Sequence, residues 1–311
     1  MKEAATDSSA ASKGAARRRD WRFERCTRLF GPAGMETLAG AHVAVFGLGG
    51  VGSYAVEALA RSGVGRLTLV DFDRVCVTNI NRQLHATTAT VGAPKAELMA
   101  ERVRAIHPGI ALRVCCEFYD RNSSASLLEP RPDVVLDCID NVTAKMHLVA
   151  TCVGQGIPIV TSLGSGAKFD PTRIRVVPLT ATHTDPLGRA LRKFIRRKHD
   201  ITEEQLSRAM AVFSDEPVVL PHTAHGGIVC GVDCVCPASD NPHHTCRERH
   251  VIHGNAAFVT AAFGMAAASA AVRVLLGMDP FSKDAVAPPA TPKKQRAPRM
   301  RAVHKAPPPG P

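Results

Sequence analysis

The sequence predicts an α/β protein built on a doubly wound, mostly parallel Rossmann-like sheet with a C-terminal α/β extension. Two observations carry that prediction. The run His42-Val-Ala-Val-Phe-Gly47 is β-branched and apolar with no period of two, which is how a strand covered on both faces reads. Short apolar runs then alternate along the chain with stretches of helical spacing, the pattern of parallel strands joined by crossover helices.

The elements follow in order. Glycines break the first strand, and Ser53 to Arg61 continues with small and apolar residues at helical spacing until Gly63 to Gly65 ends it. Arg66-Leu-Thr-Leu-Val-Asp71 is the second strand. Lys95 to Ile106 reads as an amphipathic helix, Ala111 to Cys116 and Asp133 to Cys138 as strands, Thr143 to Gly154 as a helix and Pro158 to Thr161 as a strand. No internal repeat is evident.

With 311 residues, 45% of them hydrophobic and 22% charged, the chain is long enough to bury a large core. Residues 1–19 and 281–311 are rich in Ala, Ser, Pro, Lys and Arg and poor in large apolar side chains, so both are expected to be disordered tails. A single folded unit is expected over 20–280, with a nucleotide core at 40–165 and a substrate and dimer part at 166–280. The net charge of +11 favours polyanionic partners, although Arg17 to Arg19 and the tail from Lys293 to Lys305 supply much of it. No apolar secretory segment opens the chain, which points to the cytoplasm. The apolar stretch Asn255 to Leu276 is mostly Ala and Gly and carries Arg273, so a buried helix is expected and not a membrane span. Ten cysteines without an export signal read as reduced thiols or metal ligands.

Gly47-Leu-Gly-Gly-Val-Gly52 is a G-x-G-x-x-G pattern between a strand and a helix. There, backbone N–H groups and the helix N-terminus meet a phosphate, so Gly47, Gly49, Gly50 and Gly52 are expected to bind a nucleotide. Asp71, at the end of the second strand, stands where a carboxylate accepts hydrogen bonds from ribose hydroxyls. The plainer alternative uses the glycines only for tight turning and Asp71 as a strand-end cap.

Four further phrases turn the reading away from a nicotinamide dehydrogenase. Asp71-Phe-Asp73, Asn79-Ile-Asn-Arg-Gln83, Val91-Gly-Ala-Pro-Lys95 and Asp137-Cys-Ile-Asp-Asn141, in that order, resemble the nucleotide site of the ubiquitin-activating-enzyme superfamily. The resemblance implies ATP as co-substrate, with Arg82 and Lys95 contacting the phosphates, Asp73, Asn81 and Gln83 among the nucleotide-binding residues, and Asp140 as a Mg²⁺-linked carboxylate. Acyl adenylate formation needs anionic charge neutralised on both sides of the α-phosphorus, which suits Arg82 and Lys95 as catalytic cations beside Asp140. The alternatives are local: Arg82 pairing with Asp73, Lys95 merely beginning its helix, Asp140 capping the helix at Thr143. The segment Arg22-Phe-Glu-Arg-Cys-Thr-Arg28 resembles the superfamily's arginine-bearing stretch, which implies a homodimer in which Arg25 or Arg28 reaches the neighbouring triphosphate. A solvated helix face explains the same arginines.

Within the superfamily, Arg28-Leu-Phe-Gly31, Asp73 to Gln83, Phe169-Asp-Pro-Thr-Arg-Ile174, Asp185-Pro-Leu187 and Phe213-Ser214 resemble the tRNA threonylcarbamoyladenosine dehydratases. That implies a ligase-type reaction in which a threonine carboxylate on tRNA is adenylated and then captured within the substrate. The alternative is an adenylyltransferase acting on the C-terminal glycine of a sulfur-carrier or ubiquitin-like protein; a dinucleotide-binding regulator is a third, opposed by Arg82, Lys95 and Asp140 together. Between Thr184 and Leu206 a basic helix, with Arg189, Arg192, Lys193, Arg196, Arg197 and Lys198, has the charge to follow an RNA backbone or to be solvated. One Trp and two Tyr leave few platforms for base stacking. Cys230, Cys234, Cys236 and Cys246, with His243 and His244, have enough soft ligands for tetrahedral Zn²⁺. They depart from the paired C-x-x-C of sulfur-carrier adenylyltransferases, and a free nucleophilic thiol or inert loop cysteines remain alternatives.

Overall fold

The computed structural model describes residues 20–220 and 253–281. The cysteine cluster and the expected tails, apart from Phe281, lie outside the described residues. A short 3-10 turn, Trp21–Phe23, leads into α1 (Glu24–Gly40), which is kinked where Gly31 takes φ 73° before Pro32. The chain then alternates: β1 (His42–Phe46), α2 (Gly52–Arg61), β2 (Arg66–Val70), α3 (Lys95–Ile106) and β3 (Ala111–Cys115). It continues with α4 (Ser124–Leu127), β4 (Val134–Asp137), α5 (Val142–Gly154), β5 (Ile159–Ser162), β6 (Ile174–Pro178) and α6 (Pro186–Lys198). The last described elements are α7 (Glu203–Ser207), β7 (Met210–Ser214) and α8 (Ala257–Leu275).

One seven-stranded sheet runs β3-β2-β1-β4-β5-β7-β6, parallel throughout except for the antiparallel β6–β7 pair at the edge. The doubly wound, mostly parallel sheet expected from the sequence is therefore present. Alternate residues of a strand serve opposite faces: Val43 and Val45 of β1 join one apolar core with α2, α3 and α8, while Ala44 and Phe46 join another with α5 and α6. Burial on both sides is why β1 reads as a continuous apolar run.

The sequence reading did not find β6 and β7. Each is five residues long, one ending in Pro178 and the other beginning after a helix of only five residues, and neither carries a period. Strand β7 enters parallel to β5, extending the sheet past the last strand the sequence revealed. Helix α8 spans 19 residues at a mean hydropathy of 1.7, long and apolar enough by those measures to cross a membrane. Yet Val259, Phe263, Ala267 and Ala271 are buried in the core beside α2. A methyl group on Gly264 would stand 2.4 Å from the Val51 carbonyl oxygen, so the two helices meet backbone to backbone.

The order of strands reverses at β1. From β1 the chain moves outward through β2 to β3 on one side and then crosses back to β4 on the other side of β1, which opens a crevice above the C-terminal ends of β1 and β4.

Candidate functional site

That crevice holds a cavity of about 740 Å³. Its floor is the turn that leaves β1. Gly47 takes φ 84°, and a methyl group there would stand 2.7 Å from the Cys138 carbonyl oxygen, so only glycine lets the loop rest on the end of β4. Gly52 is tighter still, because its added carbon would lie 1.8 Å from the Gly47 carbonyl oxygen. Gly50 faces Arg82 and Thr260, each 3.2–3.3 Å from an added carbon. The loop is thus pre-shaped to bring its N–H groups and the start of α2 against an anion. Gly52→Ala is expected to abolish nucleotide binding and lower stability by about 1–3 kcal/mol, read by titration with ATP and by thermal unfolding; unchanged binding would remove the loop from the site.

Ten of the eleven residues expected to bind the cofactor line this cavity: Gly47, Gly49, Gly50, Asp71, Asp73, Asn81, Arg82, Gln83, Lys95 and Asp140; the eleventh, Gly52, packs against the Gly47 carbonyl within the turn. Asp71 is buried, its oxygens accepting from the Leu48 N–H at 2.6 Å and the Asp73 N–H at 2.8 Å. It therefore ties the glycine loop to the segment after β2 while lining the cavity. Burial raises its affinity for a proton, and the neighbouring Asp73 adds to that while Lys95 and the two N–H groups oppose it.

Lys95 begins α3 and is buried, with Nζ 2.8 Å from Asp73 Oδ2. Burial works against its charge, but Asp71, Asp73 and Asp140 outweigh burial and hold the ammonium above its ordinary pKa. A raised value means that its stabilising contribution is fully present below the ordinary lysine range and is lost only as pH rises through the folded value. Lys95 is a fixed cation at neutral pH.

Arg82 donates from Nη1 to the Thr78 carbonyl at 2.9 Å and to Asn81 Oδ1 at 3.0 Å. Asn81 in turn donates from Nδ2 to the Asn255 carbonyl at 2.9 Å, across to the segment that enters α8. Gln83 is buried, and its Oε1 has no hydrogen-bond partner among the described residues. Asp140 is exposed at the rim, and the helix behind it is capped by Asn141, whose Oδ1 accepts the Ala144 N–H at 3.0 Å. The alternative in which Asp140 serves as the cap is thereby set aside.

Arg25 and Arg28 are not brought to this cavity. They sit on α1, which packs near the end of α2 and the end of α3, at the opposite end of the strands; Cys26 between them contacts the Arg61 carbonyl, and Arg28 pairs with Glu24 at 3.1 Å. Cys230, Cys234, Cys236 and Cys246 lie outside the described residues, and among the described residues no cluster of three His, Cys, Asp or Glu is arranged to hold a metal.

Three parts of the site escaped the sequence reading. The first is an aromatic wall after β3, where Phe118 meets Phe72 edge-on at 5.0 Å and Tyr119 meets Phe46 at 5.1 Å. The Tyr119 hydroxyl lies 2.9 Å from Ser124 Oγ and 3.0 Å from His147 Nδ1, and burial pushes its pKa up. The second is the far wall at 162–166 and 253–255, closed by the Ala167 N–H on the Gly254 carbonyl at 2.7 Å. The third lies under the rim. Lys145 and Asp137 form a fully buried ion pair at 2.7 Å, to which Thr161 donates its hydroxyl at 2.6 Å while the Ile139 N–H takes the other carboxylate oxygen at 3.1 Å. The phrase Asp137 to Asn141 signalled its acid, but nothing in the spacing marked Lys145 as that acid's partner. Cys138 also faces the cavity, but burial pushes its thiol up to about 12, so it is no nucleophile at neutral pH.

Comparison with known proteins agrees with this geometry. The ThiF family model matches residues 23–308. The chain is 39% identical over 257 residues to a tRNA threonylcarbamoyladenosine dehydratase of Escherichia coli K12, covering 82% of this chain and 93% of that protein. It is 42% identical over 199 residues to the Bacillus subtilis protein of the same name, covering 64% of this chain and 76% of that one. The crystal structure of the E. coli tRNA N6-threonylcarbamoyladenosine dehydratase in complex with ATP superposes with a TM-score of 0.70 at 37% identity, over 82% of this chain and 94% of that one.

Proposed function

The chain belongs to the ThiF family, among its tRNA threonylcarbamoyladenosine dehydratases, and from that premise we propose that it is an ATP-dependent ligase-type enzyme that cyclises threonylcarbamoyladenosine in tRNA. The observation that carries the reading is the joining, around one cavity, of a glycine cradle with two cations, Arg82 and Lys95, and a far wall that leaves room for an acyl donor. The solved relative bound to ATP supports the nucleotide assignment.

In this reading ATP lies with its triphosphate on Gly47 to Gly52 and its ribose toward Asp71. The orphaned Gln83 Oε1 and the space that glycine alone leaves over the loop both fit such a ligand. A threonine carboxylate oxygen attacks the α-phosphorus, the bond to the bridging oxygen breaks and pyrophosphate leaves. Arg82 and Lys95 offset the charge that gathers on the leaving phosphates. The carbamoyl nitrogen then attacks the activated carbonyl carbon, loses its proton, and AMP departs with the former carboxylate oxygen. Net loss of water from the base is balanced by conversion of ATP to AMP and pyrophosphate. The attacking nitrogen belongs to the substrate, so positioning replaces an enzyme nucleophile. Asp140, a rim carboxylate beside the phosphate side, fits Mg²⁺, which takes few protein carboxylates and otherwise phosphates and water. When bound, the ion would neutralise the pyrophosphate.

We also read the protein as a cytoplasmic homodimer in which Arg25 or Arg28 enters the partner's site, because neither reaches its own. A zinc site at Cys230, Cys234, Cys236 and Cys246 stays a proposal, tested by metal analysis of the purified chain.

Incubating the protein with ATP and tRNA bearing threonylcarbamoyladenosine is expected to yield AMP and a nucleoside lighter by one water on mass analysis. AMP formed only with a carrier protein ending in Gly-Gly, and no change in the nucleoside, would favour the sulfur-carrier alternative.

A further inference from the structure

One face of α6 is left unused by the fold, and we propose that it is the docking strip for the phosphate backbone of the tRNA. This rests on the dehydratase reading and adds where the polyanion lies. Between Pro186 and Lys198 the helix carries six cations and no carboxylate. Half of them have local work. Arg192 donates to the Thr182 hydroxyl, Arg196 pairs with Glu203 at 2.5 Å, and Lys198 lies 5.6 Å over the Phe194 ring.

Arg189, Lys193 and Arg197 remain. All three are exposed, and none forms an ion pair among the described residues. They recur every four residues, on the side of the helix away from the buried Gly188, Leu191 and Ile195. A rise of 1.5 Å per residue sets them about 6 Å apart in a row about 12 Å long. Like charges at this spacing oppose helix formation, whereas a merely solvated face normally interleaves acids with bases. The row therefore calls for an anion with regularly spaced charges.

Its position names the anion. Leu187 lines the cavity wall, and Arg189 follows two residues later on the same helix. A nucleotide that enters the cavity from an RNA strand leaves its flanking phosphates outside, and the row lies on the solvent side of the helix that forms that wall.

The test is the full chain carrying Arg189→Gln, Lys193→Gln and Arg197→Gln together. Losing three phosphate contacts is expected to raise KM for the modified tRNA about 10- to 100-fold at physiological salt and to lower the slope of log affinity against log salt by about 2–3. The kcat at saturating tRNA and the affinity for ATP stay unchanged. The charge-conserving Arg189→Lys/Lys193→Arg/Arg197→Lys variant keeps the parent's salt slope, and the three single variants lose affinity in steps, so a triple variant that failed to fold would not end the test. KM and slope within twofold of the parent in the single and triple variants would overturn the proposal. Direct binding of unmodified tRNA separates the two readings: salt-sensitive binding that the triple variant loses supports the strip even when no tRNA is dehydrated, an outcome that sinks only the dehydratase reading. Losses confined to an acidic carrier protein overturn the strip as an RNA surface.

Discussion

Alanine at Arg82 is expected to lower ATP-dependent turnover about 10²- to 10³-fold while leaving the unfolding midpoint unchanged. Its side chain passes over the glycine loop, with Cγ against Gly50, and its Nη1 donates to two neutral acceptors, the Thr78 carbonyl and Asn81 Oδ1. In the proposed mechanism, charge developing on the phosphates then loses a fixed cation. The measurement is kcat and KM for ATP side by side with thermal unfolding. A loss confined to KM would assign Arg82 to uniform binding and not to the transition state, and an unchanged kcat/KM would remove it from the chemistry. Arg82→Lys is expected to recover only part, because a lysine keeps the charge but not the planar fork.

Methionine at Lys145 is the opposite case: large in stability, indirect in activity. Removing the cation leaves Asp137 fully buried and without its charge partner, which is expected to cost about 3–5 kcal/mol. For a chain of this size each kcal/mol lowers the midpoint by about 2–4 °C. Adding Asp137→Asn restores part of the loss, since the amide still accepts from the Ile139 N–H and removes the stranded charge. The double variant therefore should be more stable than Lys145→Met alone. If the two substitutions simply add, the pair is not coupled as its 2.7 Å separation indicates.

What was legible in the sequence is what depends on neighbours along the chain. The glycine turn, Asp71 at a strand end, Arg82 and Lys95 belong to contiguous phrases, and the cavity gathers them as expected. The parallel core was equally plain, because strands buried on both faces leave uninterrupted apolar runs. What stayed hidden depends on pairing across the sheet. Lys145 meets Asp137 and Thr161 only because β4 and β5 lie side by side under α5, and β7 is a strand only because β5 offers it an edge. The aromatic wall at Phe118 and Tyr119 likewise follows from the end of β3 lying beside β2.

The bond from the Asn81 amide to the Asn255 carbonyl joins the two sides of the cavity. Arg82 donates to that same amide, so one side chain ties the wall that carries Arg82 to the wall at 253–255. Linkage then requires reciprocity: by whatever factor an occupied acceptor wall tightens the hold on nucleotide, bound nucleotide tightens the hold on the acceptor. In the proposed reading, ATP held without an acceptor is therefore expected to be held less firmly than ATP held beside one, as nucleotide titration with and without tRNA would read.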